Sequence, residues 1–417
     1  MHGLDDGLNL NPSPDASRTS PSKEDTDLEL SIIMPCLNES QTLAACIGKA
    51  QLFLAQEGVS GEIIVADNGS TDGSQQIAEQ MNARLVILEQ RGYGAAIMGG
   101  VSIARGKYVI MGDSDDSYDF AALMPLLEKM REGYQLVMGN RFKGEIKPGA
   151  MPPLHYYLGN PVLTGIGRLF FKSPCEDFHC GLRGFNKQAI DGLELQTTGM
   201  EFASEMVVKA TLYGLRITEV PITLYPDGRS SRPHLRSWRD GWRHLRFLLM
   251  YSPKWLFFYP GAGLMILGLL SGLWLLPQPR TVGSITFDIH TMLYSAIAII
   301  IGYQAVLFAI LTKVFTTTVG LAPPDARMEK LYRILTLEVG LLAGALMILG
   351  GLGGTIYGFI SWSLTIFGPQ DPSRLMRVVI PSGLSLALGF QTVLTSFFLS
   401  ILGLKRQHRF QKRPDAR

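Results

Sequence analysis

The stretch GKYVIMGDSDDSYDF (106–120) joins a short apolar run to four aspartates within seven positions. The apolar run is typical of a buried strand, whereas carboxylates this close together repel one another. Such a cluster becomes favourable around a divalent cation, because Mg²⁺ and Mn²⁺ take oxygen ligands and are commonly held by one or two carboxylates together with a substrate's phosphates. The stretch therefore predicts a strand that ends at a metal–diphosphate site.

Short apolar runs alternate with helical stretches over residues 29–220. Apolar runs joined by helices predict an α/β domain with a mainly parallel, doubly wound sheet that is covered on both faces. The runs that predict strands are ELSIIMP, GEIIVAD, ARLVILE, GKYVIMGD and YQLVMGN.

Polar residues follow four of these five predicted strands. Ligands of such sheets bind outside the carboxyl ends of the strands, so one rim of the sheet is the predicted site. Helix capping could explain Asp67 alone, but it does not explain four aspartates at 113–119. The rim residues, in strand order, are Pro35, Asn38 and Glu39; Asp67 and Asn68; Asp113, Asp115 and Asp116; and Asn140 and Arg141.

Four long apolar segments follow residue 254, at 256–277, 292–311, 337–360 and 378–404. About 20 apolar residues are needed to cross a bilayer, so the sequence predicts four transmembrane helices. Lysine and arginine are concentrated after the second span and in the tail, which predicts that both termini and the first half of the chain are cytoplasmic. Glycine pairs at small-xxx-small spacing leave open whether helices pack within the chain or in a homo-oligomer.

A basic amphipathic segment precedes the first span. In residues 232–249 five arginines recur at spacings of 4, 3, 4 and 3, beside an apolar stripe that includes Trp238 and Trp242. On a helix these form two adjacent stripes, which predicts a helix lying in the membrane surface. It is either an anchor before the first span or a place where arginines receive an anionic lipid.

The 417 residues carry a net charge of only +2, which argues against a nucleic-acid-binding protein. The predicted organisation has five parts. They are a disordered leader (1–27), an α/β domain (28–228), a basic juxtamembrane helix (229–254), four transmembrane helices (255–404) and a basic cytoplasmic tail (405–417).

Six short motifs occur in a fixed order over about half of the chain: PCLNE (35–39), ADNGSTDGS (66–74), GYGAA (92–96), DSDD (113–116), GNRF (139–142) and HCGLRGF (179–185). Together they resemble the GT-A-fold glycosyltransferases of family 2. The nearest likeness is to the polyprenyl-phosphate sugar transferases, which include dolichol-phosphate mannose synthase and undecaprenyl-phosphate glucosyltransferases.

The resemblance implies a role for each motif. Asp113 and Asp115 would hold Mg²⁺ or Mn²⁺ and the donor diphosphate, and a basic lid loop would cover that diphosphate. The residues of the nucleotide-sugar site would be Pro35, Asn38, Glu39, Asp67, Asn68, Gly92 and Asp113. Those near the acceptor phosphate would be Arg141 and Arg183, with Arg229, Ser230 and Arg232 from the lid loop.

Two positions depart from the family pattern. The usual pair of aspartates is Asp67–Asn68 here, so contacts to the base are expected to differ. The glutamine of the DADLQ motif is absent from DSDDS, and Asp116 or water is expected to replace it as a catalytic-site ligand. The DSDDSYDF form resembles the bacterial glucosyl branch and favours a UDP-glucose-like donor.

The implied reaction is an inverting, metal-dependent transfer of a hexose from a nucleotide-diphosphate sugar to undecaprenyl or dolichyl phosphate, in cell-envelope glycan biosynthesis. One alternative is a non-processive transfer to a glycolipid or saccharide hydroxyl, for which Asp116 or Asp177 could serve as base. A processive synthase is disfavoured because no Q-x-x-R-W motif is present. The alternative from another class is an inactive lipid-binding or lipid-translocating membrane protein.

Overall fold

A computed structural model describes residues 28–229, 237–319, 323 and 336–410. The predicted leader lies outside the described residues, as do Ser230, Arg232 and the end of the tail.

The first half of the chain forms a seven-stranded sheet in the order β3-β2-β1-β4-β6-β5-β7. All five predicted strands are present, and two further strands, β6 and β7, join them. The strands are β1 (Leu30–Cys36), β2 (Gly61–Asp67), β3 (Arg84–Ile87), β4 (Tyr108–Met111), β5 (Leu136–Ile146), β6 (Arg183–Asn186) and β7 (Ile217–Leu224).

The sheet is mostly parallel, with one antiparallel strand. β6 lies between β4 and β5 and runs antiparallel to both. β7 contains Pro221, which cannot donate to a ladder, and it lies at the sheet edge where a missing N–H is tolerated. This is the expected GT-A architecture. β5 is longer than predicted, however, and continues through Arg141 to Ile146 past a register shift.

Helices cover both faces of the sheet because side chains of a strand alternate between its two sides. Ile32 belongs to the core on one face and Ile33 to the core on the other. The helices of this half are α1 (Leu43–Gln56), α2 (Ser74–Gln80), α3 (Tyr93–Ile103), α4 (Met124–Arg131), α5 (Asn160–Phe171), α6 (Lys187–Asp191), α7 (Phe202–Leu212) and α8 (Ser237–Met250).

Four helices of the described residues are long and apolar enough to cross a membrane, as predicted. Glycines on them contact neighbouring helices of the same chain: Gly268 meets Ser295, and Gly344 meets Gly389 and Val393. These helices are α9 (Tyr259–Leu275), α10 (Ile289–Val319), α11 (Leu337–Ser363) and α12 (Pro372–Phe410), and a short hairpin of β8 (Arg280–Val282) and β9 (Ile285–Phe287) joins α9 to α10.

Helix α8 covers the described part of the predicted surface segment. Trp238 and Trp242 are 82% and 58% exposed, in agreement with an apolar stripe that faces outward. Helix α8 also has a third face, which the two predicted stripes did not indicate. On this face His244 and Phe247 are buried against the α/β domain. Helix α8 is therefore both an outward-facing amphipathic element and part of the domain core.

Candidate active site

A cavity of about 620 Å³ opens where β1, β2 and β4 end. It is the rim at which the sequence placed a ligand, because the carboxyl ends of parallel strands meet there. Eight of the predicted site residues line the cavity: Pro35, Asn38, Glu39, Asn68, Gly92, Asp113, Asp115 and Arg229.

Three of the lining residues, Glu39, Asp113 and Asp115, are carboxylates that we call the acidic rim. Glu39 and Asp115 are 6% and 8% exposed. Burial raises the pKa of Glu39 to about 7; the Arg229 charge opposes this rise, and the charges of Asp115 and Asp113 add to it. Burial also raises the pKa of Asp113, and the Asp115 carboxylate raises it further. The acidic rim therefore holds more negative charge than its surroundings neutralise.

The Arg229 guanidinium bridges two members of the acidic rim. Its Nη1 donates to Glu39 Oε1 at 2.7 Å, and its Nη2 donates to Asp115 Oδ2 at 2.5 Å. The backbone amide of Gly228 donates to the Asp115 carbonyl at 2.9 Å, which holds the segment after β7 against the acidic loop. Arg229 thus lies inside the cavity, whereas the other two residues predicted for the lid loop are outside the described residues.

The donor set of the acidic rim fits a hard divalent cation. Arg229 forms ion pairs with two of the three carboxylates, Glu39 and Asp115, so a further positive charge beside Asp113 would be favourable. Across the described part of the chain, no group of three or more His, Cys, Asp or Glu side chains could hold a metal alone. Mg²⁺ and Mn²⁺ need only one or two carboxylates when substrate phosphates and water complete the coordination. The fit therefore requires a bound diphosphate.

Asp116 pairs with a lysine outside the cavity lining. Its Oδ1 accepts a hydrogen bond from Lys49 Nζ at 2.7 Å, and the residue does not line the cavity. The backbone of Asp116 is in the left-handed region, with φ of 61°, and its side chain meets α1, which carries Lys49. The structure therefore pairs Asp116 with Lys49 outside the cavity lining, and its predicted role as a ligand or a base stays a prediction.

Asp67 supports the cavity from behind. It is fully buried, and its Oδ1 accepts hydrogen bonds from the amides of Gly69 and Ser70 at 2.9 Å each and from Gln75 Nε2 at 2.7 Å. Gly69 lines the cavity and Asp67 does not. Asp67 therefore shapes the turn after β2 through Oδ1, its buried Oδ2 has no hydrogen-bond partner within the described part of the chain, and its predicted contact with the donor stays a prediction.

Asn68 stands where the family pattern has a second aspartate, and its amide side chain makes two contacts that explain this difference. Its Oδ1 accepts the amide of Gly92 at 2.7 Å, and its Nδ2 donates to the carbonyl of Gln90 at 3.1 Å. A carboxylate could not make the second bond. Gly92 has φ of 133°, and a Cβ there would lie 2.1 Å from the Thr198 carbonyl oxygen, so only glycine fits. Asn68 therefore fixes the loop that brings Gly92 to the cavity.

Arg141 forms a bidentate pair with Asp177, beside the cavity. Its Nε donates to Asp177 Oδ2 and its Nη2 to Asp177 Oδ1, both at 2.7 Å. Burial alone would lower the pKa of Arg141, but the charge and hydrogen bonds of Asp177 raise it. Within the described part of the chain, Arg141 Nη1 donates no hydrogen bond. Asp177 is fully buried in this pair, which makes it unsuited to serve as a base.

Arg183 lies outside the cavity lining and donates to backbone carbonyls. It is fully buried, and its guanidinium donates to the carbonyls of Cys180 and Ala203 at 2.8 Å and of Phe178 at 2.9 Å. The predicted contact with an acceptor phosphate stays a prediction, and the side chain here holds the backbone of its own loop and the start of α7. That loop places Gly181 against Asp113, where a Cβ would lie 2.3 Å from Asp113 Oδ2.

The sequence missed three prominent cavity residues, Arg91, Tyr93 and Met200. Tyr93 belongs to the GYGAA motif and Arg91 directly precedes it, so the motif was the signal for both. Met200 comes from the loop before α7, and no pattern in the sequence marks it.

Two family matches fall on the chain. Residues 31–193 match the glycosyl transferase family 2 domain, and residues 310–403 match the glycosyltransferase family 2 C-terminal transmembrane region.

The chain is also similar to two relatives and to one solved structure. The low-salt glycan biosynthesis hexosyltransferase Agl6 of Haloferax volcanii is 38% identical over 376 residues, which cover 90% of this chain and 89% of the relative. A dolichyl-phosphate hexose transferase of the same organism is 28% identical and covers 46% of this chain and 82% of its own length. Glucosyl-3-phosphoglycerate synthase from Mycobacterium tuberculosis, solved with Mn²⁺ and UDP, has a TM-score of 0.44 at 20% identity and covers 54% of this chain and 80% of that one.

The Agl6 similarity spans nearly the whole of both chains at 38% identity. The chain therefore belongs to the family 2 glycosyltransferases and is a glycosyltransferase with a GT-A catalytic domain and a C-terminal transmembrane region.

Proposed function

We propose that the enzyme transfers a hexose from a nucleotide-diphosphate sugar to a polyprenyl phosphate at the cytoplasmic face of a membrane, with inversion at the anomeric carbon. The observation that carries the proposal is the pairing of a cavity rich in carboxylates with a neighbouring arginine that keeps N–H groups for an anion. A UDP-glucose-like donor is the favoured substrate, and undecaprenyl or dolichyl phosphate is the favoured acceptor.

The donor would occupy the 620 Å³ cavity. The base and ribose would contact the strand ends at Pro35 and Asn38, and the diphosphate would lie toward Asp113 and Asp115. A Mg²⁺ or Mn²⁺ ion held by these two aspartates would neutralise the charge that develops on the departing diphosphate. Arg229, which already bridges Glu39 and Asp115, is placed to bind the same diphosphate.

The acceptor phosphate would bind at Arg141. Asp177 orients the guanidinium through Nε and Nη2, and the edge that includes Nη1 remains for phosphate oxygens. The charge of Arg141 is close enough to Asp113 to lower its pKa, so an acceptor on Arg141 would lie beside the donor diphosphate. The name of the dolichyl-phosphate hexose transferase that this chain resembles supports a polyprenyl-phosphate acceptor.

The chemistry needs no general base. An oxygen of the lipid phosphate forms a bond to the anomeric carbon while the bond from that carbon to the diphosphate breaks, and the nucleoside diphosphate leaves with the electron pair. The acceptor is already an anion, so no proton has to be removed. The protein has to bring two anions together, which it does through positioning and fixed positive charge.

The outward-facing apolar surface supports a catalytic domain that lies on the membrane. Tyr157 and Leu169, in the segment that leads into and through α5, are 78% and 57% exposed, like Trp238 and Trp242 on α8. Phe170 stacks on Trp255 just before α9, with ring centroids 5.3 Å apart, so this surface continues into the first span. The positive charges of the sequence support the cytoplasmic side for this surface.

The direct test uses the purified full-length enzyme in liposomes that contain undecaprenyl phosphate or dolichyl phosphate. Radiolabelled UDP-glucose, UDP-galactose, UDP-N-acetylglucosamine and GDP-mannose are supplied separately, with Mg²⁺ or Mn²⁺. We expect label from one donor to enter the lipid fraction and EDTA to abolish the transfer. Nucleotide release that requires a sugar or glycolipid hydroxyl, with no labelled lipid phosphate, would contradict the proposal.

A further inference from the structure

The Glu219 carboxylate lies behind the Arg141–Asp177 pair, on edge strand β7. Its side chain is 6% exposed. Oε1 accepts the backbone amides of Glu176 at 2.5 Å and Asp177 at 3.0 Å. Oε2 accepts Asn140 Nδ2 at 2.8 Å and Lys143 Nζ at 3.2 Å. One carboxylate therefore ties together the two chain segments that supply the pair.

These contacts fix both partners from outside. Asn140 precedes Arg141 in β5 and is fully buried, and its Oδ1 also accepts the amide of Lys143 at 2.8 Å. The amides of residues 176 and 177 set the direction in which the loop presents the Asp177 carboxylate. Both ends of the bidentate pair thus depend on Glu219, at the point where β5 departs from its regular register with β7.

Glu219 cannot act on the substrates directly. It lines a separate cavity of about 190 Å³ together with Lys143 and Cys175, and it is absent from the lining of the large cavity. Any effect on catalysis has to pass through Asp177 to Arg141.

We infer that Glu219 is a positioning residue, which holds the Arg141 guanidinium in the orientation that receives the acceptor phosphate. The inference rests on the proposed acceptor role of Arg141. A carboxylate with two oxygens is needed because each oxygen accepts from a different segment. Glutamine keeps one oxygen for the backbone amides of residues 176 and 177. Its NH2 group, however, would face the donors Asn140 Nδ2 and Lys143 Nζ and could not accept from them.

The test compares Glu219→Ala and Glu219→Gln with the wild type in two-substrate kinetics. We expect Glu219→Ala to raise the acceptor KM roughly tenfold to a hundredfold, since buried donors lose their acceptor, and to leave the donor KM within about twofold. Glu219→Gln should recover only the part of the loss that comes from the amides of residues 176 and 177, because its NH2 group cannot accept from Asn140 and Lys143. The matched control is Glu62→Ala, which removes a partly buried carboxylate with several partners, Ser31, Arg84 and the amide of Arg105, at the start of β2. A purely structural role predicts that Glu219→Ala and Glu62→Ala change both KM values alike, and that result would overturn the inference.

A second readout does not depend on transfer. Phenylglyoxal labels accessible guanidinium groups, and peptide mapping by mass spectrometry reports Arg141 separately. We expect Arg141 to be protected in the wild type and in Glu62→Ala and to become labelled in Glu219→Ala. Equal protection in all three would refute the positioning role. If the wild type labels no lipid phosphate at all, the proposed function fails, and the labelling of Arg141 still decides whether Glu219 holds the pair.

Discussion

The acidic rim and the Arg141–Asp177 pair lie side by side and are neutralised in opposite ways. At the acidic rim, Arg229 pairs with two of the three carboxylates, and the pKa of Glu39 is raised to about 7, chiefly by burial. In the neighbouring pair, one carboxylate is matched to one guanidinium by two hydrogen bonds of 2.7 Å.

The difference shows how one cleft can bring two anionic substrates together. An under-neutralised cluster of oxygens favours a cation that can carry a diphosphate with it. A matched pair is already neutral, and in the proposed function it orients the remaining N–H groups of Arg141 for the acceptor phosphate. The contrast predicts that the cleft has a donor end at the acidic rim and an acceptor end at the Arg141–Asp177 pair. A substitution at one end should therefore affect one substrate only.

The largest effect should come from removing the charge of the acidic rim. Replacing Asp113 and Asp115 together by asparagine should lower the transfer rate by about a thousandfold or more, because the charge stabilisation of the leaving group is lost. The measurement is the initial rate of lipid labelling in liposomes.

Asp116→Asn is the matched control for that double variant. Asp116 is a neighbour in the sequence but pairs with Lys49 outside the cavity, and asparagine tolerates its left-handed backbone. We expect activity within about threefold of the wild type. A loss as large as that of the double variant would mean that the whole acidic loop, not the rim, carries the function.

A smaller but still large effect is expected for Gly181→Ala. The added Cβ would lie 2.3 Å from Asp113 Oδ2 and would displace that carboxylate. Activity should fall roughly tenfold to a hundredfold, as for other misplaced active-site groups. In Gly165→Ala, the new methyl group meets no atom within 4 Å, so activity should be unchanged. Equal rates for the two variants would show that the position of Asp113 is unimportant.

The pH dependence of stability should sharpen the comparison. The pKa of Glu39 is raised from 4.5 to about 7, so the folded state retains a proton that the unfolded chain releases. Stability should therefore fall as the pH rises through this window, by on the order of 3 kcal/mol. Burial lowers the pKa of His244 to about 4, which acts in the opposite direction between pH 6.5 and 4.

The difference in Tm between the wild type and Glu39→Gln isolates the contribution of Glu39. The Tm of the wild type minus that of Glu39→Gln should decrease from pH 5 to pH 8 in donor-free, metal-free detergent solution. A constant difference would show that Glu39 is not under-neutralised.

The smallest effect concerns the membrane-facing surface. Brominated lipids should quench the fluorescence of Trp238 and Trp242, which are exposed on α8. Replacing both by phenylalanine should remove the share of the quenching that these two rings contribute, leave the share of Trp255, Trp274 and Trp362, and change the transfer rate by no more than a few-fold. Unchanged quenching in the double variant would mean that α8 faces water.

The acidic rim was predictable because parallel strands end together, and the apolar runs marked the strands. The burial and the contacts of individual arginines were not predictable from the sequence. Arg183 is buried because β6 inserts antiparallel between β4 and β5, and a four-residue strand leaves no periodic signal. Glu219 was missed because its strand contains a proline and lies at the sheet edge. Asp116 differs from Asp115 only through its backbone conformation, which the letters DSDD do not encode.

The most direct test of two separate ends is two-substrate kinetics of Arg141→Lys and Arg229→Lys in the same liposomes. Lysine keeps the charge but cannot reproduce a bidentate contact. We predict that Arg141→Lys raises the KM for the polyprenyl phosphate and leaves the KM for the nucleotide sugar unchanged, and that Arg229→Lys does the reverse. If both variants raise the same KM, the acidic rim and the Arg141–Asp177 pair do not serve different substrates, and the account is contradicted.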